Sequence, residues 1–274
     1  MGRNVRGKGV YAYIRFRLPI RFMTATTIDE VIAALDEIIA SAKREESPLG
    51  YFAALYRKVT VRVKEKIAEG FFDDDERMER LDVIFANRYL EAYAAHQLGA
   101  PTTKVWEEAF THAGEQQFIV LQHLLLGMNA HINLDLGIAA VEVSEARDLD
   151  NLRGDFDKIN EILSDLVGEV QGSLSRIWPG LVWILKLTRQ TDDLMVDFSM
   201  ELARDGAWKF ARKLAEMGPE HYEQAIVERD LRVADLVGVI LAPGWLQRTV
   251  IRLIRWTELG SPRQKIATLE AAID

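Results

Sequence analysis

From Thr27 onward, apolar residues recur every three or four positions, and this spacing predicts one helix after another. Thr27 and Glu30 have the spacing of a capping box, followed by Ile28, Val31, Ile32, Leu35, Ile38 and Ile39 on one helical face. Ser47-Pro48 opens a second helix that Gly70 stops. Asp73 opens a third, with Met78, Leu81, Ile84, Phe85 and Tyr89 as its apolar face, and Gly99 ends it. Further helices are expected at 103–113, 155–177, 181–204, 206–217, 220–241 and 245–258, punctuated by Pro179, Gly218-Pro219 and Pro243-Gly244. No Asn-Gly occurs, the Asp205-Gly206 pair is not flanked by the alternation of a hairpin, and no glycine-rich phosphate loop interrupts the series.

The start of the chain follows a different period. Val10, Ala12, Ile14, Phe16, Leu18, Ile20 and Phe22 alternate with Tyr11, Tyr13, Arg15, Arg17, Pro19 and Arg21, which is the signature of an extended strand. The expected architecture is therefore all-α: a multi-helix orthogonal bundle around a buried central helix (26–274), preceded by an extended basic arm (1–25). A lone strand has no sheet to join, and its backbone groups still need partners. Pairing with the same arm of a second copy would supply them, so a homodimer is expected.

One segment carries the chemistry. Residues 116–143 read QQFIVLQHLLLGMNAHINLDLGIAAVEV, apolar on every side, as in a helix buried on every side. It nevertheless contains Gln122, His123, Asn129, His131, Asn133 and Asp135. A buried polar group left unpaired costs about 1–3 kcal/mol, so these six need partners or a purpose. His123, Gly127, His131 and Asp135 are spaced by four and form one row. His131 and Asp135 are close enough to share a ligand, whereas a rise of about 12 Å separates His123 from His131. Gly127, between them, leaves room for a neighbouring backbone or a substrate. Gln122, Asn129 and Asn133 fall on another face, suited to helix-to-helix hydrogen bonds.

The His-x-x-x-Asp spacing fits two of the ligands of a divalent metal such as Zn, Fe or Mn. It fits equally an acid–base dyad in which the carboxylate orients the imidazole.

Composition narrows the choices. The 274 residues contain no Cys, which removes disulfides, iron–sulfur clusters and a thiol nucleophile. A net charge of -8 argues against nucleic acid as partner. No run of about 18 uninterrupted apolar residues predicts a transmembrane span, and no signal peptide is read, so a cytoplasmic protein is expected.

The run Gln122-His123-Leu124-Leu125-Leu126-Gly127-Met128-Asn129-Ala130-His131-Ile132-Asn133-Leu134-Asp135-Leu136 resembles the hallmark of a bacterial family of unknown function, family 5995. Gly50-Tyr51-Phe52 through Leu55-Tyr56-Arg57, Met78 through Tyr89, and Asp155-Phe156-Asp157-Lys158-Ile159-Asn160 agree with it, over about residues 27–240. The resemblance implies a helical fold. It gathers on His123, Asn129, His131, Asp135 and the triplet Asn87-Arg88-Tyr89.

Arg88 is suited to a two-pronged contact with Asp135 or a substrate anion. Asn87, Tyr89 and Asn129 are candidate ligand contacts, and Asp82 is the candidate third ligand for a metal at His131 and Asp135. His131, Asp135, Arg88 and His123 are the catalytic candidates.

The leading expectation is an enzyme with a buried His/Asp site, a metal-dependent hydrolase acting on an apolar or lipid-like small molecule. The first alternative is a non-catalytic helical protein that binds a small molecule or a partner. The second starts from Asp73-Asp74-Asp75-Glu76, which resembles the aspartate-rich motif of the magnesium-dependent class I terpenoid synthases, with Asp192, Asp193 and Asp197 as a second cluster. Aspartates at a helix start also complement its dipole. The last long helix pairs Trp245, Leu246, Val250, Leu253 and Trp256 with Arg248, Arg252 and Arg255; it reads as a packed helix with a charged face, or as one lying on a membrane.

Overall fold

Thr27 starts the first helix as its pattern requires: the backbone is extended and the hydroxyl accepts a bond from the Glu30 N–H. The second half of the expected box differs, because the Glu30 carboxylate takes the N–H and hydroxyl of Thr26 instead. This computed structural model describes residues 24–115, 117–144, 149–178, 200–242 and 245–271. Its helices are α1 (Ile28–Glu45), α2 (Gly50–Ala68), α3 (Asp75–Gln97), α4 (Lys104–Ala113), α5 (Val120–Ala130), α6 (Leu136–Val143), α7 (Arg153–Ile177), α8 (Met200–Ala215), α9 (Pro219–Leu241), α10 (Trp245–Thr257) and α11 (Pro262–Glu270). No strand occurs among the described residues, and the class is all-α.

Several boundaries moved for identifiable reasons. Residues 47–49 form a turn, with Gly50 N–H bonded to Ser47 O and Tyr51 N–H to Pro48 O, so α2 begins at Gly50. Helix α8 runs unbroken through Gly206, where two helices were expected. Helix α11 was not expected; its signal is Ser261-Pro262, with Gln264 returning a bond to the Ser261 N–H. Ala25, placed in the arm by sequence, is buried and bound through both backbone groups to Asn87, so the helical body begins at least there. Residues 10–22, 181–199 and the cluster Asp192, Asp193 and Asp197 lie outside the described residues.

The first aspartate cluster is a structural clamp. Asp74 caps α3, its carboxylate accepting the Arg77 N–H at 2.9 Å. The fully buried Asp155 of α7 accepts the N–H groups of Asp73 and Asp74 and bonds Arg77 and Lys158. These bonds, together with the Asp73–Lys158 ion pair, tie the start of α3 to α7.

Helices α5 and α6, joined by a short π-helical turn at His131–Asp135, form the central rod. The run Val120–Val143 has the length and apolarity to cross a bilayer, yet 89% of its apolar window is buried inside the protein. Helix α5 packs on α2, α4 and α9; α6 packs on α3 and α8. Leu121, Met128 and Ile132 are only partly buried, and this stripe faces a cavity.

Candidate functional site

The π turn shapes the centre of the molecule. The Leu136 N–H reaches back five residues to the His131 carbonyl, one residue more than in an α-helix. Such a turn leaves the ladder locally irregular. Here Arg229 of α9 donates to the Asn133 carbonyl at 2.9 Å and so gives the widened turn an outside partner.

Within it, His131 Nδ1 and Asp135 Oδ2 are 3.1 Å apart. The same Oδ2 accepts the indole N–H of Trp106 at 2.9 Å, and Oδ1 accepts Arg88 Nε at 2.9 Å. Asp135 is 1% exposed. Burial alone would raise its carboxyl; Arg88, then His131 and Trp106, outweigh burial and hold it below the usual carboxylate range. Arg88 contributes one nitrogen to this bond, not the two-pronged fork expected from its side chain.

Because the ionised Asp135 only accepts, His131 donates through Nδ1, and its Nε2 is left as a bare acceptor. That atom is buried and has no hydrogen-bond partner. Burial, opposed by Asp135 and reinforced by Arg88, lowers the His131 pKa, so the ring is neutral near pH 7. Phe85 stacks on the imidazole with centroids 3.6 Å apart and planes 8° apart, while Tyr56 meets it edge-on at 4.6 Å. The ring is thus fixed by a carboxylate on one nitrogen and by aromatic rings around it.

His131 stands on the wall of a cavity of about 520 Å³. Helices α2, α3, α5, α7 and α8 line it with side chains such as Leu55, Phe85, Leu125, Ile159 and Leu166. The polar side chains on its wall are Tyr56, His131, Gln171 and Arg204.

The other sequence candidates separate from this point. His123 lines a different void of about 20 Å³, beside Phe52, Trp106 and Gly127. The space above Gly127 holds the Phe52 ring, where a Cβ would collide, and neither a backbone nor a substrate. Asn129 is fully buried and not a ligand contact: its amide donates to the Val233 carbonyl and accepts from Asn133. Asn87 is likewise consumed by Ala25, and Tyr89 is a core ring against Phe52 and Trp106.

Asp82 is buried, one of its oxygens has no partner, and burial with Glu79 nearby pushes its pKa up to about 7. It does not complete a metal site. Among the described residues no three His, Asp or Glu side chains form a group able to hold an ion. Asp135 Oδ2 already meets Trp106 and His131 and Oδ1 accepts Arg88, so of this pair only His131 Nε2 has no partner. The donor set does not fit a resident Zn, Fe or Mn ion.

Sequence reasoning missed Trp106, Phe85, Tyr56 and Arg204. Trp106 and Phe85 sit on amphipathic helices where an aromatic residue reads as core, so nothing in the pattern marked them. The arrangement defines a class: an all-α protein with a buried His–Asp–Arg–Trp network beside an apolar cavity. The chain belongs to the family described as "Family of unknown function (DUF5995)", whose profile matches residues 28–243. No curated protein and no solved structure matches the chain.

Proposed function

We propose that the protein binds an apolar, lipid-like small molecule in the cavity between α2, α3, α5, α7 and α8. The observation that carries this reading is the bare, unpartnered Nε2 of His131, held by Asp135 on the wall of an otherwise largely apolar chamber. Pockets for small molecules are mostly apolar with a few placed polar groups, and this chamber has that composition. A second reading, acid–base catalysis on the bound molecule, is favoured by the His131–Asp135 pair itself. A carboxylate that fixes the tautomer and a pKa lowered by burial leave a neutral imidazole ready to take a proton.

Binding is tested with Nile red, an uncharged apolar probe. Wild type is expected to bind it, and Leu125→Trp, which fills the chamber, to weaken binding at least tenfold while helicity is retained. Equal binding by both proteins would place the probe elsewhere and remove the cavity reading. Catalysis is tested separately by incubating p-nitrophenyl dodecanoate, an apolar ester, with the protein and following it by mass spectrometry. A change of mass made by wild type and not by His131→Ala supports the base, and an unchanged molecule leaves a carrier.

A further inference from the structure

Arg204 is the cationic side chain of the chamber wall, buried like Tyr56 and His131. It lies in the first turns of α8, is 5% exposed, and lines the same cavity as His131 from a different side. One terminal nitrogen donates to the Phe156 carbonyl, and the guanidinium lies over the Phe156 ring at 4.4 Å. Its Nε is buried without a partner. No carboxylate among the described residues comes within ion-pair distance. The acids close enough to act on its charge, Asp157 and Asp205, both pair with Arg153, at 2.7 and 3.5 Å. A buried cation with no anion in contact is costly, and an arginine offers a planar set of donors matched to a carboxylate.

Resting on the reading that the cavity binds an apolar molecule, we propose that its ligand is an amphipathic carboxylate of the fatty-acid class. Its carboxylate would be held by Arg204 and its hydrocarbon chain by the apolar wall that carries His131. The chamber supplies both halves of such a ligand's environment: leucine, isoleucine and phenylalanine side chains for the chain, and one unneutralised donor group for the head. Burial, partly offset by Asp157, lowers the Arg204 pKa only to about 10, so the head-group partner is charged at neutral pH.

The experiment compares dodecanoate with dodecanol by calorimetry at neutral pH on the full chain. Wild type is expected to bind the acid at least tenfold more tightly than the alcohol. Arg204→Gln is expected to lose that preference and keep its affinity for the alcohol, while Arg204→Lys, which keeps the charge without the planar donors, retains part of the preference. Wild type binding both ligands equally, or Arg204→Gln keeping the preference, overturns the carboxylate assignment and leaves the cavity reading intact. Failure of wild type to bind either ligand overturns both. The wild-type comparison decides the matter even where a variant does not fold.

Discussion

His123 and His131 lie on one helical rod, eight residues apart, both buried, each with one ring nitrogen that has no partner. Their surroundings differ. His123 faces Tyr51 and Phe118 at 5.6 and 6.3 Å beside a void too small for a ligand, and no carboxylate bonds it among the described contacts. Burial, with Lys265 and Arg255 adding to it, depresses its pKa to about 4, so it behaves as a neutral, aromatic-like packing residue. His131 has Asp135 on one nitrogen and a chamber beside the ring. A buried histidine becomes a candidate for chemistry when a partner fixes one nitrogen and its ring lies on the wall of a chamber.

The largest test of this contrast is Asp135→Ala. It leaves the part-buried Arg88 without its bonded carboxylate and removes the partner of Trp106 and His131. A loss of about 3–5 kcal/mol is expected in urea unfolding. Replacing both charges, Arg88→Met with Asp135→Leu, should restore much of the stability while leaving His131 without its orienting partner. If the double variant is as unstable as the single, the network contributes through its hydrogen bonds and not through charge balance.

Asp82→Asn sharpens the view that this carboxylate is a buried cost and not a ligand. A raised acid pKa means that ionisation opposes folding. The penalty is absent below about pH 4, grows as pH rises to about 7, and is constant above that. The variant should therefore be more stable than wild type above pH 7 in urea unfolding, by an amount on the order of a few kcal/mol, and match it near pH 4. A variant less stable than wild type at pH 7.5 would show that the charged carboxylate has a favourable partner.

The smallest expected effect belongs to His123→Phe. A lowered histidine pKa means that wild type loses stability as pH falls from about 6.5 to about 4, because the unfolded chain takes up the proton first. The phenylalanine variant should match wild type at pH 8 and exceed it at pH 4 by roughly 1–3 kcal/mol. Its Nile red affinity should be unchanged. Loss of probe binding here would erase the distinction between the two histidines.

The sequence by itself determined the helical class, because a period of 3.6 and the capping residues are local properties of the chain. Thr27 and Gly70 act where the pattern put them, Gly70 with a φ of 67° that suits glycine, while the cap of α3 is Asp74, one residue past the expected Asp73. It also determined that an interior rod lies within 116–143, found at Val120–Val143, since that run is apolar nearly all round, and that His131 and Asp135 meet, since a spacing of four brings side chains together.

Which polar residues were merely satisfied was decided in three dimensions. Asn129 and Asn87 are consumed by backbone groups 104 and 62 residues away, and no local pattern encodes such a pairing. The same holds for Trp106 and Arg88, which converge on Asp135 from two separate helices. Only packing left a chamber beside His131 and brought Arg204 into its wall. A cavity is what the side chains of five helices fail to fill, and that depends on their mutual placement and not on any one of their sequences.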